Sequence, residues 1–170
     1  FGALMVGGVA TSAIAAPIDC SSTTFCSFSL DNFIGSGTAL AGPYGTITLT
    51  QNGANIDVTV TAVSNAYFAR TGAGEAFLWD FKHDPSLTGK IVLTGTSVGK
   101  FTFDSNAGHQ DGSGSWDYGM ICSACGSGGS PPNLGELMFT IVTYNLADFV
   151  KNNKGNNFAV DMCLGYIAGT

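Results

Sequence analysis

Any chemistry in this chain has to come from a small set of side chains. The densest polar stretch is residues 79–85, where Asp80, His83 and Asp84 are close enough in sequence to ligate a divalent cation or act as an acid–base pair. The competing reading is a strand end with Asp80 on a wet face, followed by a turn that Asp84-Pro85 begins. That dipeptide favours the turn. A second stretch, residues 104–117, reads DSNAGHQDGSGSWD. Loops this rich in Asp, Asn, Ser and Gly can hold Ca²⁺, so Asp104, Asp111 and Asp117 are the candidate cation ligands. The spacing is not that of an EF-hand, which needs D-x-[DN]-x-[DN]-G and a closing Glu. A plain solvated loop competes with the cation site here.

Five cysteines lie at positions 20, 26, 122, 125 and 163. The Cys122-x-x-Cys125 pair suggests zinc or redox work, but zinc asks for four ligands and no second such pair follows. A thioredoxin-like role asks for a helix start after a strand, whereas this pair leads into Gly-Ser-Gly-Gly. Candidate disulfides are therefore Cys20 with Cys26 and Cys122 with Cys125, leaving Cys163 over; the odd count keeps other pairings open. Nucleophilic catalysis has little to build on. There is no G-x-S-x-G elbow, and the glycine loops at 112–115 and 126–129 lack the lysine of a phosphate loop. Glu75 and Glu136 sit at strand starts rather than as a facing pair of acids. No residue is assigned a catalytic role. Among the aromatics, Trp79 alternates in step with Phe77 and Phe81 and reads as core. Trp116 and Tyr118 share a face in a Gly-rich polar stretch and form a candidate glycan platform.

The elements that would position these residues are strands. Residues 44–51 and 55–63 each alternate apolar with Thr or Asp across Asn52-Gly53, the pattern of a β-hairpin with one wet face. Further strands are predicted at 76–82, 90–94, 100–104, 115–121, 136–144 and 156–163. Residues 122–135 read as a loop, and a short helix at 146–152 is capped by Asn145. The predicted fold class is all-β: an antiparallel β-sandwich, jelly-roll or immunoglobulin-like, with one short helix before the last strand.

Composition sets the wider bounds. The 170 residues carry a net charge of -6, with Lys plus Arg 6 and Asp plus Glu 12, and 45% are hydrophobic. That is too apolar and too weakly charged for a disordered chain. Six scattered basic residues with a pI near 4.4 exclude nucleic acid as a natural partner. After the N-terminus there is no apolar run of about 20 residues, so no helical membrane span is predicted. Residues 1–15 (FGALMVGGVATSAIA) are apolar, uncharged and end in Ala-x-Ala, so they are read as the remnant of a signal peptide cleaved after Ala15. Residues 16–43 are then an N-terminal segment joining the sandwich, and 44–170 the β-sandwich domain. Paired cysteines would fit an oxidising compartment.

Several segments occur in a familiar order: Ala-Ala-Pro-Ile at the end of the leader, YGTITLTQNGANIDVTVTAV, ARTGAGEAFLWDF and LADFVKNNKGNNFAVDMCLG. In this the chain resembles exported bacterial proteins that carry a PEP-CTERM sorting tail. The likeness rests on Thr71, Gly72 and Gly74 after the hairpin and on Phe158, Ala159 and Asp161 near the end. The tail, with its Val-Pro-Glu-Pro, apolar helix and Arg cluster, is not within these residues, so exosortase-type processing is implied only if it follows Thr170. The resemblance implies export to the surface or surroundings of a bacterium that makes exopolysaccharide. The expected role is structural or adhesive, with exopolysaccharide or other matrix proteins as partners and no enzymatic activity. No cofactor is expected; Ca²⁺ enters only with the alternative, a Ca²⁺-dependent carbohydrate-binding module. A secreted hydrolase is the third reading.

Overall fold

The computed structural model describes residues 10–15, 20, 24–34, 41–71, 74–82, 86–110, 112–126, 132–133 and 135–165. Its first strands are β1 (Ala10–Ala15), β2 (Phe25–Ile34), β3 (Gly45–Asn52), β4 (Asn55–Ala62), β5 (Ala66–Phe68), β6 (Glu75–Phe81) and β7 (Ile91–Leu93). After these come β8 (Phe101–Asp104), β9 (Gly108–Gln110), β10 (Gly114–Trp116), β11 (Tyr118–Cys122), β12 (Leu137–Val142), β13 (Phe149–Val150) and β14 (Phe158–Leu164). The fold is an antiparallel all-β sandwich. The main sheet runs β7-β12-β4-β3-β2-β1-β14-β6-β11-β8, with β5 added to β14 and β13 to β6, while β9 and β10 pair by themselves.

The edge strands of this long sheet, β7 and β8, are consecutive in the chain and are joined by residues 94–100. A link that short spans at most about 25 Å. The sheet must therefore curl until its ends approach each other, which stacks one half on the other. Aromatic contacts record the stacking. Phe77 and Trp79 on β6 meet Phe139 on β12 with ring centroids 6.0 and 5.4 Å apart, and Phe28 on β2 meets Phe158 on β14 at 5.0 Å. Trp79, Phe77, Phe139 and Phe158 are all buried, as are the inward Ile47, Leu49, Ile56, Val58 and Val60 of the β3–β4 hairpin. Each of these aromatics removes a large apolar surface from water, so their cluster dominates the core.

The β3–β4 hairpin has the predicted pattern, but its turn lies one residue on. Asn52 pairs with Asn55, so the two-residue loop is Gly53-Ala54. Gly53 alone has positive φ, 60°, which suits a turn with glycine at its first central position rather than an Asn-Gly turn. The predicted helix at 146–152 is instead a 3-10 turn, Leu146–Asp148, followed by the short strand β13. Asp148 Oδ2 accepts the Asn145 backbone N–H at 2.8 Å and closes the turn after one revolution. The predicted strand at 115–121 divides at Asp117 into β10 and β11, which belong to different sheets. Of the segment expected merely to join the sandwich, residues 25–34 are a full strand beside β3, with Cys26, Phe28 and Leu30 buried. Residues 10–15, expected within the leader, run as β1 between β2 and β14. Without β1 the sheet divides there into two, which are the two layers of a sandwich.

Gly45 tests this packing. A Cβ at this position would collide with the Thr61 carbonyl oxygen of the neighbouring strand. Gly45→Ala is expected to destabilise the protein by about 1–3 kcal/mol in urea melts, as overpacking does. Gly53→Ala meets no atom, so its effect should come from its positive φ alone.

Candidate functional site: a covered acidic face

β6 is buried along its whole length. Phe77, Trp79 and Phe81 point into the core, and Leu78 packs in a separate apolar patch with Ala107, Trp116 and Ala159. The outer face of β14 and β6 is thus covered, and the β9–β10 hairpin covers it with Trp116. The Trp116 indole N–H donates to Ser113 Oγ at 3.0 Å, and that hydroxyl donates to Gln110 Oε1 at 3.2 Å. The turn after β13 latches the hairpin down. Asn152 and Asn156 each donate from Nδ2 to the Ser113 carbonyl at 2.8 Å, and Asn153 Oδ1 accepts the Ser115 N–H at 3.1 Å. Gly114 has φ 111°, and a Cβ there would lie 2.6 Å from Asn153 Oδ1. This close approach explains the glycine. The asparagine run at 152–157 is therefore a clasp for the hairpin.

The face beneath and beside this cover carries acids. Asp161 on β14 is 2% exposed, and its Oδ2 accepts the N–H of Thr71 at 2.9 Å and the Thr71 hydroxyl. Burial raises its pKa, and the two bonds from Thr71 oppose the rise. Glu75, at the start of β6, is 5% exposed. Its side chain lies over Gly119 of β11, where a Cβ would come within 2.6 Å of Glu75 Cγ and 3.1 Å of Ala107 Cβ. Gly119 is paired with Asp104 on β8, so the Glu75 and Asp104 carboxyls are neighbours across that gap. Burial raises the Glu75 pKa most; its own backbone opposes this, and Asp104 and Asp161 add to it. Glu75 Oε2 is buried without a hydrogen-bond partner among the described residues. Asp104 can satisfy it only when one of the two carboxyls carries a proton, because two carboxylates are both acceptors. Asp80 accepts the Asp117 N–H at 2.7 Å, yet burial lifts its carboxyl to about 6.

The predicted site residues are distributed differently. Asp104 is half-buried at the end of β8, its Oδ1 accepting the Asn106 N–H at 2.8 Å, and Asp117 is exposed. Asp111 lies outside the described residues, as do His83 and Asp84. Among the described residues no group of three or more His, Cys, Asp or Glu is placed to hold a metal ion. The glycan platform is corrected. Trp116 is 3% and Tyr118 1% exposed, and the bend at Asp117 sends Trp116 to the outer patch and Tyr118 into the core. There Tyr118 lies against Trp79, ring centroids 5.9 Å apart, so neither ring offers a face to solvent. Cys20 is bonded to Cys26 and Cys122 to Cys125, while Cys163 is a buried free thiol whose pKa burial raises.

Sequence reasoning missed Glu75, Gly119 and the pairing of Thr71 with Asp161. Two signals were present: Thr71 and Asp161 stand in separate motifs of the resemblance described above, and the structure brings these motifs into contact. No family model, no curated protein and no solved structure matches the chain.

Two outcomes follow from this face. A carboxyl whose folded pKa is raised binds its proton more tightly in the folded state. The stability linked to Asp80 is then fully present below its ordinary value of 3.8 and is lost as pH rises through about 6. Lowering the pH from 7 toward 4 is expected to stabilise the protein through Asp80 by the order of 1–3 kcal/mol. Asp80→Asn should flatten that slope and raise stability at pH 7, as read in urea melts across pH. The clasp is tested by Asn152→Ala, which removes the bond to the Ser113 carbonyl and the two that Asn152 Oδ1 accepts from the Lys154 and Asn156 N–H groups. A loss of about 1–3 kcal/mol is expected, with a red-shifted Trp116 emission measured in a Trp79→Phe background; an unshifted spectrum would show that the hairpin stays down without it.

Proposed function

We propose that the chain is an exported structural or adhesive β-sandwich that contacts exopolysaccharide at the surface or in the extracellular matrix of a bacterium, and that it does so without catalysis. The observation that carries this reading is the outer face of β2, β3 and β4. Ser29, Thr46 and Thr61 stand side by side across the three strands, and Ser27, Thr48 and Thr59 form the next row. Thr46 and Thr61 are exposed, and Thr48 and Thr59 are half-buried. Neighbouring strands lie about 4.8 Å apart, and alternate residues repeat about every 6.8 Å along a strand. The result is a grid of hydroxyls, each both donor and acceptor, as are the hydroxyls of a sugar polymer.

Beside the grid, a shallow groove of about 220 Å³ is lined by Val63, Tyr67 and Glu136 among others, and Thr61 donates to Glu136 Oε1 at 2.9 Å at its rim. Half-buried Tyr67 is better placed there for stacking on a sugar than the buried Trp116 and Tyr118. Export is supported by the leader pattern at 1–15 and by two disulfides, each closed within a short stretch of chain. In this reading cleavage after Ala15 removes β1 and leaves the two-layer sandwich. A PEP-CTERM tail and exosortase processing belong to the same reading if such a tail follows.

The test is co-sedimentation with exopolysaccharide from a PEP-CTERM-bearing bacterium. The double variant Thr48→Val, Thr59→Val keeps shape and strand propensity. It is expected to retain the wild-type melting temperature within a few degrees and to bind at least fivefold more weakly. Equal retention of variant and wild type on the polymer would remove the hydroxyl grid from the function.

A further inference from the structure

Glu75 and Asp104 are neighbouring acids across Gly119, and burial of Glu75 calls for a proton or a cation to neutralise it. Glu75 is 5% exposed, its Oε2 has no partner among the described residues, and the charged groups acting on it there are the acids Asp104 and Asp161. Gly119 between the two strands supplies the space, since any side chain on it would push Glu75 aside. The arrangement spans three adjacent strands, β6, β11 and β8, with Asp161 of β14 on the far side of Glu75. Asp161 already has Thr71 as its donor. Glu75 has its own backbone N–H but, among the described residues, no donor for Oε2, and Asp104 accepts the Asn106 N–H on Oδ1.

We propose that Glu75 and Asp104 together bind a divalent cation, Ca²⁺, in the gap over Gly119. The donors are all hard carboxylate oxygens, with no imidazole or thiolate between them, which selects Ca²⁺ over zinc or copper. Two carboxylates leave coordination positions for water, and half-buried Asp104 on the edge strand β8 gives water and the ion a way in. Asp161 adds negative field without ligating. So small a ligand set places the affinity in the range of extracellular calcium modules, roughly 0.1–1 mM. This site shares Asp104 with the loop predicted from sequence but uses neither Asp111 nor Asp117. Nor does it depend on the exopolysaccharide reading, because the ion would tie strands together inside the chain.

The experiment is a series of thermal melts of the full chain after EDTA treatment and dialysis, titrated with CaCl₂ and separately with MgCl₂. For the wild type, about 5 mM Ca²⁺ is expected to raise Tm by several degrees and to saturate, with Mg²⁺ less effective. Glu75→Gln should melt higher than the wild type without calcium, since the repulsion is gone, and should show no calcium shift. Asp104→Asn, at a half-exposed position that tolerates the change, should move the half-saturating concentration up at least fivefold and carries the test if Glu75→Gln does not fold. A wild type that ignores Ca²⁺ but is stabilised by acid would mean that the pair holds a proton, which overturns the proposal. A calcium shift that survives Glu75→Gln and disappears in Asp111→Asn would place the ion in the loop, and overturns it equally.

Discussion

The structure depends on one strand being dry on both faces. In most two-layer sandwiches a strand shows one face to the core and the other to water. β6 does not: every residue from Glu75 to Phe81 is buried. Its inner face supplies Phe77 and Trp79, the rings on which the opposite layer rests. Its outer face supplies Leu78 to a second, smaller apolar patch and two carboxylates to the covered surface. Burying apolar side chains on both faces is favourable at roughly 25 cal/mol per Å². Burying Glu75 and Asp80 beside them works in the opposite direction, and that conflict concentrates polar constraint in this part of the molecule.

The dry outer face also explains the irregular segments around it. The β9–β10 hairpin is too short to be stable alone in water. It is held by Trp116 below and by the asparagines of residues 152–156 at its side. The glycines at 112 and 114 have positive φ, which allows this chain to fold back over the sheet. A glycine- and asparagine-rich sequence that would read as a solvated loop is thus a lid and its clasp. The two disulfides lie elsewhere. Cys122–Cys125 ties the end of β11 to the turn beyond it, and the Cys125 sulfur lies 3.3 Å from the Phe68 carbonyl.

How legible each element was in the sequence follows from how many of its faces are wet. The β3–β4 hairpin has one face in water, so period-2 alternation reveals it, and Asn52-Gly53 marks its turn to within one residue. The same alternation places Trp79 correctly in the core. β2 also alternates, with Cys26, Phe28 and Leu30 inward and Ser27 and Ser29 outward, so its signal is present in the sequence although the segment is expected only to join the sandwich. Sequence alone places Trp116 and Tyr118 on one exposed face because nothing local announces that the strand breaks at Asp117. The candidate acids were harder still. Glu75 and Asp104 are 29 positions apart in numbering and meet only because β11 pairs between β6 and β8. Gly119 gives them room, and a single glycine carries no sign in sequence of what lies across it.

The acids on the covered face do not all serve the same need. Asp161 is satisfied: two donors from Thr71 replace the water it lost, so a buried carboxylate there locks the segment after β5 to β14. Asp80 is half satisfied, with one backbone N–H, and its carboxyl at about 6 reflects that balance. Glu75 is satisfied by nothing among the described residues on one of its oxygens. A glutamine would remove the charge, and an alanine at position 119 would fill the gap, yet the chain has neither. An unpaired charge on a desolvated strand destabilises the fold unless something neutralises it. A proton would neutralise Glu75, but that neutralisation is lost as pH rises. A cation would bind it more firmly as pH rises, and would bridge β6 to the edge strand β8 at the point where the sheet has no further strand to support it.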